Sequence, residues 1–198
     1  MTQEIEIEYK NLLTKSEFDR LLTSLPFPEE AKSQTNHYFE TKDFSLKRHG
    51  CALRIREKEG SFTLTLKEPH STGLLETHDV LTNEQAASWM NGKPIYAEKT
   101  ARQLDEKGIY VDELVYYGSL TTHRRELAYG DVLLVLDDNT YSSKTDYELE
   151  LEAASEKAGQ TAMQQLLDQY QIEQRETPNK IQRFFAAKFN DGAAEQSD

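Results

Sequence analysis

Two stretches of strict alternation between charged and apolar residues lie near opposite ends of the chain. Residues 4–10 read EIEIEYK and residues 147–152 read YELELE. Successive side chains of an extended strand point to opposite faces, so each stretch predicts a β-strand with glutamates on one face and apolar side chains on the other. The chain is therefore expected to form a sheet whose two faces differ in chemistry.

The middle of the chain carries the same alternation with the opposite charge. Residues 53–57, LRIRE, place Arg54 and Arg56 on one face, and residues 62–68, FTLTLKE, place threonines and a lysine on one face of the next strand. The short connection at 58–60 contains a glycine and predicts a β-hairpin. Basic side chains are therefore expected on the sheet together with the glutamates.

The remaining sequence predicts further strands and a set of amphipathic helices. Thr14 and Glu17 form a capping-box pattern at the first helix, and Pro178 suits the first turn of the last helix. About eight strands are expected, mostly antiparallel because their connections are short. The strands are predicted at 3–10, 34–41, 52–57, 61–68, 73–81, 115–129, 131–141 and 145–155, and the helices within 13–25, 82–90, 94–108, 159–172 and 177–189.

Two arrangements of the sheet are compatible with these patterns. In the first, the charged faces lie in water and the apolar faces share a core, as in many antiparallel sheets. In the second, the strands close into a barrel with the charged side chains inside a wet tunnel, and the helices cover the apolar faces. Glutamates that converge in a confined space repel one another, so the second arrangement requires cations among them. The arginine and lysine side chains that converge in the same space require an anionic ligand.

The residue types indicate which ligands such a tunnel would hold. Carboxylates without a cysteine or histidine cluster favour Mg²⁺ or Mn²⁺ over Zn²⁺. Clustered arginine and lysine side chains favour phosphate, which accepts hydrogen bonds from guanidinium and ammonium groups. Together they indicate a site for a metal-bound polyphosphate. Four histidines show no ligand spacing and are predicted to be surface or structural residues: His37, His49, His70 and His78.

Composition narrows the class of protein. The chain of 198 residues has a net charge of −12, so it is not expected to bind nucleic acid through its surface as a whole. It has no apolar run of about 20 residues and no basic start followed by an apolar core, so neither a membrane span nor a secretory signal is expected. Cys51 is the single cysteine, which fits a cytoplasmic location.

The order of the charged motifs resembles that of the CYTH domain, also called the triphosphate tunnel metalloenzyme family. The Glu-x-Glu-x-Lys signature of that family is similar to residues 6–10. The similarity covers nearly the whole chain, with eight elements in the same order. The Tyr-rich, paired-arginine, lysine, Lys-Thr-Arg, aspartate, Glu-x-Glu and C-terminal lysine elements resemble NHYFET, ALRIRE, TLTLKEP, THRREL, VLLVLD, YELELE and NKIQRF.

The resemblance implies an α+β fold, in which an eight-stranded antiparallel β-barrel forms an open tunnel with flanking helices. The CYTH domain is expected over residues 1–190, with a disordered tail at 191–198. Metal ligands are implied at Glu6, Glu8, Asp137, Glu150 and Glu152. Phosphate-binding residues are implied at Lys10, Arg54, Arg56, Lys67, Arg124 and Lys180. The resemblance also makes Tyr38, with Lys67, the candidate that positions or activates the attacking water.

Two positions depart from the family pattern. The second strand usually continues into an aspartate, which is Glu40 here. His123 stands where the lysine of Lys-Thr-Arg is expected, and the doubled arginine at 124–125 allows two registers. Arg124 is preferred as the phosphate ligand, because Leu127 then takes the place of the family's aromatic residue three positions later.

The resemblance implies metal-dependent hydrolysis of a small-molecule triphosphate. Inorganic tripolyphosphate is favoured, because the recognisable residues all address phosphate and none addresses a base or a thiazole. Two alternatives keep the same charged residues: an adenylate cyclase that forms cyclic AMP from ATP, and a module that binds polyphosphate or a nucleotide without turnover. The sequence leaves the oligomeric state open.

Overall fold

The computed structural model describes residues 3–71 and 73–194, with side chains described for 7–71 and 73–190. These residues form nine strands and six α-helices. The strands are β1 (Gln3–Glu6), β2 (Glu8–Leu13), β3 (Lys32–Thr41), β4 (Ala52–Lys58), β5 (Ser61–His70), β6 (Gly73–Leu81), β7 (Leu114–Tyr129), β8 (Val132–Tyr141) and β9 (Lys144–Ala153). The helices are α1 (Lys15–Ser24), α2 (Ser45–Arg48), α3 (Asn83–Met90), α4 (Glu98–Asp105), α5 (Glu156–Gln169) and α6 (Lys180–Ala194).

The observed elements confirm the predicted α+β class, an antiparallel sheet with flanking helices. The described strand pairings are all antiparallel. The predicted hairpin joins β4 to β5. Its turn residues Glu59 and Gly60 have φ values of 51° and 75°, and a two-residue type I′ turn requires positive φ at both positions. Thr14 and Glu17 form the predicted capping box at the start of α1.

Several predicted boundaries are wrong. The last two helices begin at Glu156 and Lys180 and not at 159 and 177, so Pro178 precedes the last helix and does not lie in its first turn. The predicted strand 3–10 is interrupted at Ile7, because β1 pairs with β6 while β2 pairs with β9, and one continuous ladder cannot follow two different partner strands. The helix predicted over 94–108 begins only at Glu98. The indole Nε1 of Trp89 donates a hydrogen bond to the carbonyl of Ile95 at 3.1 Å, and this bond holds the preceding residues in an irregular path.

The contacts of the chain divide it into two compact units. Unit 1 comprises Met1–Glu6 and Gln34–Ser119. Its strands are hydrogen-bonded in the order β1-β6-β5-β4-β3, with the start of β7 beside β3. The apolar face of this sheet packs against α3 and α4, where the rings of Phe39 and Trp89 meet edge to face at 5.1 Å.

Unit 2 comprises Ile7–Ser33 and Leu120–Asp198. The rest of β7 is followed by β8, β9 and β2 in the hydrogen-bonded order. The apolar face of these strands packs against α1 and α5, and its core contains leucines from β8 and β9: Leu134, Leu136, Leu149 and Leu151. Helix α6 belongs to this unit as well and runs to Ala194.

The charged face of the sheet is also largely buried in each unit. Asp137 and Glu148 in unit 2 have 0% of their surface exposed, and Glu76 in unit 1 has 4%. An arrangement with the carboxylates in bulk water predicts the opposite, so it is wrong for these residues. The apolar faces are covered by helices, as the second arrangement predicted.

Two further expectations concern the termini and membranes. No helix in the described part of the chain is long and apolar enough to cross a membrane. The disordered tail predicted from residue 191 stays a prediction, since α6 extends to Ala194 and residues 195–198 lie outside the described residues.

Candidate active site

The strand register of unit 2 aligns several predicted site residues. Arg124 pairs with Asp137 across β7 and β8, and Asp137 pairs with Glu148 across β8 and β9. One row further along, Glu150 pairs with Lys10 of β2. Directly paired residues and alternate residues of a strand share a face, so these five side chains leave the same face of the sheet.

Lys180, at the start of α6, completes a charged cluster on that face. Its Nζ lies 2.8 Å from Asp137 Oδ2 and 2.9 Å from Glu148 Oε2, and it also donates to Glu150 Oε1. Arg124 donates to both oxygens of Asp137, at 2.9 and 2.6 Å, and to Glu150 Oε2 at 2.6 Å. We call these three carboxylates and two cations the unit 2 cluster.

Burial and charge act in opposite directions on the pKa values of the cluster. Burial raises the pKa of Glu150, but the neighbouring Lys180 and Arg124 charges outweigh it and hold the pKa well below its usual value. Burial lowers the pKa of Lys180, while Glu150, Asp137 and Glu148 raise it above its usual value. Glu150 and Lys180 are therefore both ionised at neutral pH.

A buried network next to the cluster was missed by the sequence analysis. Arg183 donates to Asp146 Oδ2 at 2.9 Å and to Glu148 Oε2 at 2.6 Å. Asp146 also accepts from Asn139 Nδ2 at 3.0 Å and from the Tyr141 hydroxyl at 2.5 Å. The signal that could have found Arg183 is its position three residues after Lys180, which puts both on one face of a helix.

Unit 1 contains a second polar face, which includes two predicted residues in one row. Tyr38 pairs with Arg54, Arg54 with Thr65, and Thr65 with His78 across four neighbouring strands. Tyr38 is 3% exposed. The Arg54 Nε is buried, and no hydrogen-bond partner for it exists within the residues that the structure describes. The His78 ring Nδ1 lies 3.0 Å from the Thr65 hydroxyl.

Lys67 and Arg56 lie on the same face of unit 1. Lys67 forms an ion pair with Glu76, which also lies 3.6 Å from His78 Nε2. Arg56 Nε donates to Asn36 Oδ1 at 3.2 Å. Sequence reasoning assigned His78 to no site, because no spacing marked it as a ligand. The register places it in the same row as Arg54, with Thr65 between them.

Glu40, the departure from the family's aspartate, satisfies backbone groups at the start of α2. Its carboxylate accepts hydrogen bonds from the backbone N–H groups of Thr41 at 2.8 Å and of Leu46 and Lys47 at 2.9 Å each. Glu40 is 3% exposed. This contact set gives the residue a structural role in unit 1.

The structure places the remaining predicted residues and the alternative arginine, Arg125, as follows. Lys10 pairs with Glu8 at 2.6 Å, and Glu8 lies opposite Glu152 in the register of β2 and β9. The side chain of Glu6 lies outside the described residues, so its predicted metal role stays a prediction. Arg125 leaves the opposite face of β7 and donates to backbone carbonyls at 28 and 29, so the register places Arg124 in the cluster.

The carboxylates of the unit 2 cluster have the chemistry of a divalent-cation site. Among the side chains that the structure describes, no group of three or more histidine, cysteine, aspartate or glutamate residues is arranged to hold a metal ion. The carboxylates instead pair with Arg124 and Lys180. Their oxygen-only donor set fits Mg²⁺ or Mn²⁺, and the buried Glu148 Oε1 has no hydrogen-bond partner among the described groups.

The chain matches the model of a known protein family. The model of the CYTH domain matches residues 4–185. The chain belongs to the CYTH domain family. The matched residues include the charged face of the sheet in each unit. The family predicted from the resemblance is therefore confirmed over nearly the whole chain.

Relatives of this CYTH protein are found among both sequences and solved structures. It is 46% identical over 189 residues to the "Putative triphosphatase YjbK" of Bacillus subtilis (strain 168), which covers 95% of this chain and 98% of the relative. A Bacillus halodurans structure described as a "putative adenylate cyclase" is 43% identical, with a TM-score of 0.90 over 93% of this chain and 100% of that one.

A further solved structure shows the same fold at lower identity. HpAC1 from Hippeastrum matches with a TM-score of 0.74 and 24% identity, over 92% of this chain and 96% of that one. At this identity the likeness supports the fold alone. The description of that protein names both an adenylyl cyclase and a dominant triphosphatase activity.

Proposed function

We propose that this CYTH protein is a metal-dependent triphosphatase and that inorganic tripolyphosphate is its favoured substrate. The observation that carries the proposal is the unit 2 cluster, where Arg124 and Lys180 are buried against three carboxylates. Buried ion clusters are weak contributors to stability and are frequent at functional sites. The 46% identity to a protein named as a putative triphosphatase supports the same reaction class.

The proposed substrate contacts are the basic side chains that the family resemblance implies. Guanidinium forks and ammonium groups match phosphate oxygens and would neutralise the charge that develops as the terminal phosphoryl group leaves. The buried Arg54 Nε supports this assignment, because it is a donor with no partner among the described residues. The proposed phosphate-binding residues are Lys10, Arg54, Arg56, Lys67, Arg124 and Lys180.

The proposed metal ligands are the carboxylates implied by the family. Mg²⁺ or Mn²⁺, when bound, would neutralise phosphate oxygens and help to orient the substrate. In this proposal Arg124 and Lys180 keep Glu150 ionised, since their charges hold the pKa of that carboxylate low. The proposed ligands are Glu6, Glu8, Asp137, Glu150 and Glu152.

The attacking water is assigned to Tyr38, together with Lys67 on the same face of unit 1. Tyr38 is buried on that face, and its register partner is Arg54. A hydroxyl and an ammonium group would hold the water in line with the bond that breaks. Phosphoryl transfer needs mainly positioning and electrostatic stabilisation, so no covalent intermediate is required.

A phosphate-release screen tests the proposal. Tripolyphosphate, thiamine triphosphate and ATP are each incubated with Mg²⁺, with Mn²⁺ and with a chelator. The expected result is metal-dependent phosphate release, fastest with tripolyphosphate. Absence of release from every triphosphate with both metals would contradict a triphosphatase, and faster release from an organic triphosphate would change the assigned substrate. A cytoplasmic location stays a prediction.

A second candidate is an adenylate cyclase. It is favoured by the name of the Bacillus halodurans structure, which is 43% identical to this chain. In that reaction the 3′-hydroxyl of ATP replaces water as the nucleophile, and pyrophosphate leaves. Detection of cyclic AMP in the ATP incubation, in place of free phosphate, would support the cyclase over the triphosphatase.

A further inference from the structure

We propose that Arg183 is a positioning residue that fixes Lys180 in the unit 2 cluster. The inference rests on the proposed function, because it gives Lys180 a role in binding phosphate. Arg183 follows Lys180 by three residues in α6, so the two side chains leave the same face of the helix. The side chain of Arg183 is 8% exposed and is held by protein groups, so it acts through Lys180 and not on a substrate.

The contacts of Arg183 fix the start of α6 in two directions. Its NH1 donates to the carbonyl of Pro178 at 2.6 Å, within the segment that leads into the helix. Its Nε and NH2 donate to Asp146 and Glu148 on β9, at 2.9 and 2.6 Å. One planar guanidinium therefore joins the first turn of α6, the segment before it and the strand beneath it.

Glu148 is the group through which Arg183 acts on Lys180. Its Oε2 accepts from Arg183 NH2 at 2.6 Å and lies 2.9 Å from Lys180 Nζ. Without Arg183, this carboxylate would lose one of its two charged partners and would be less firmly fixed. The position of the Lys180 ammonium depends on the same oxygen, so it would be less well defined.

Asp146 is itself fixed by hydrogen bonds from residues other than Arg183, so the carboxylate that binds Arg183 has a defined position. Its oxygens accept from Asn139 Nδ2 and from the Tyr141 hydroxyl, and Asn139 accepts from Thr122. Asn139 and Thr122 are both 0% exposed. A largely buried hydrogen-bonded network of this kind favours one geometry of the groups it contains.

Lysine is a poor substitute for arginine at this position. The guanidinium donates in three directions at once, whereas an ammonium group is a point charge on a flexible stem. Arg183→Lys keeps the charge and is expected to keep the fold, but it cannot reach Pro178, Asp146 and Glu148 together. It is the second variant in case Arg183→Met fails to fold.

The first test follows Lys180 directly and needs no activity. Wild type, Arg183→Met and Arg183→Lys are treated with an amine-acetylating reagent, and the modification of Lys180 is followed by mass spectrometry. Lys180 is expected to react several-fold faster in the Arg183 variants than in wild type, because a less firmly held side chain leaves the cluster more often and exposes its deprotonated amine to the reagent. Arg175→Met is the control, since Arg175 makes a similar two-pronged pair with Glu17 elsewhere in unit 2.

The second test is a double-mutant cycle on tripolyphosphate hydrolysis with Mg²⁺. Arg183→Met is expected to lower kcat by roughly a hundredfold, the size of effect that a small misplacement of a charged group can cause. In a Lys180→Met background the same change is expected to have little further effect, because the two residues act as one unit. Arg183→Lys is expected to be intermediate, and Arg175→Met is expected to keep the wild-type kcat.

Two results would overturn the proposal. One is unchanged Lys180 reactivity in the folded Arg183 variants. The other is an equal loss of kcat from Arg183→Met in the wild-type and Lys180→Met backgrounds, which would mean a general structural role. A wild-type protein that hydrolyses no triphosphate would contradict the proposed function alone, because the labelling test does not use a substrate.

Discussion

At the scale of single residues, the charge balance of the unit 2 cluster decides both stability and chemistry. Three carboxylates with little or no exposed surface face Lys180 and Arg124, and each cation touches at least two of them. Removing one partner from a buried set leaves the others uncompensated, which costs more than the set contributes when it is complete. The cluster is therefore the most sensitive point of unit 2 to charge-changing substitutions.

Lys180→Met tests this balance through the pH dependence of stability. The lowered pKa of Glu150 means that its contribution is present above its unfolded pKa of about 4.3 and is lost only as pH falls through the lower folded value. The raised pKa of Lys180 means that its contribution is complete below about pH 10. The contribution of this cluster to the unfolding free energy of the wild type is thus expected to change little between about pH 5 and 8.

The variant is expected to behave differently. At pH 7 it should lose about 3–5 kcal/mol of unfolding free energy, and the loss should shrink towards about pH 5 as a carboxylate of the cluster takes up a proton. Denaturant unfolding at both pH values measures this. Lys15→Met, which removes an exposed lysine from Asp19, is the control and should show a small effect without this pH trend. An equal loss at both pH values in Lys180→Met would contradict the charge-balance account.

The sequence predicts the residue types of the site better than their partners. Alternation along β9 is enough to place Glu150 on a charged face, and the choice of Arg124 over Arg125 follows from the position of Leu127. The Arg183 contact with Asp146 could not be predicted, because it joins residues 37 apart in sequence and depends on how α6 meets β9. No local pattern encodes that angle.

At the scale of elements, local turn chemistry fixes some boundaries and tertiary pairing fixes others. The hairpin between β4 and β5 follows from a glycine between two alternating segments, and the capping box of α1 follows from Thr14 and Glu17. The interruption at Ile7 could not be read from EIEIEYK, because it arises from the different partners of β1 and β2. Helix α2 was missed for a similar reason, since its start is satisfied by Glu40 of β3.

The turn of the β4–β5 hairpin offers a stabilising substitution. Glu59 has a φ of 51°, which asparagine adopts more readily than glutamate. Glu59→Asn is expected to raise the unfolding free energy by about 0.5 kcal/mol, and Gly60→Ala to lower it by about 1 kcal/mol because Gly60 also has positive φ. Thermal unfolding measures both, and a lower melting temperature in Glu59→Asn would contradict the turn assignment.

The close packing of α5 on β2 predicts that a glycine-to-alanine substitution in the helix destabilises the protein, although alanine has the higher helix propensity. Alanine usually stabilises a helix by about 1 kcal/mol relative to glycine. A Cβ at Gly159 would lie 2.5 Å from the Tyr9 ring and 3.0 Å from Ala153 Cβ, so Gly159→Ala is expected to destabilise by about 1–2 kcal/mol instead. Gln160→Ala, at an exposed position of the same helix, is the control for propensity. A more stable Gly159→Ala would show that the ring moves aside at little cost.

At the scale of the whole molecule, a chain with a strongly negative net charge is proposed to bind a ligand that is also negatively charged. The net charge of −12 repels polyphosphate at long range, so affinity has to come from the local basic groups of the charged faces and from a bound cation. The expectation that the surface as a whole does not bind nucleic acid rests on this net charge, and it does not extend to a triphosphate that local basic groups would hold.

Ligand-linked stability tests this description. Tripolyphosphate added with Mg²⁺ at about 100 times its dissociation constant should raise the unfolding free energy by about 2.7 kcal/mol, since only the folded chain holds the charged groups together. Tripolyphosphate with a chelator should raise it less. Thermal unfolding with each addition measures the difference, and equal melting temperatures in all conditions would contradict a metal-assisted phosphate site.

The most direct test of the central claim is phosphate release from tripolyphosphate by wild type and by Glu150→Gln, with Mg²⁺ or Mn²⁺. Glu150 lies at the centre of the unit 2 cluster, where it contacts both Arg124 and Lys180. Glu173→Gln, which changes an exposed carboxylate in the same unit, is the matched control. The account predicts metal-dependent release by wild type and the control and its loss in folded Glu150→Gln, whereas full activity in Glu150→Gln would contradict the account.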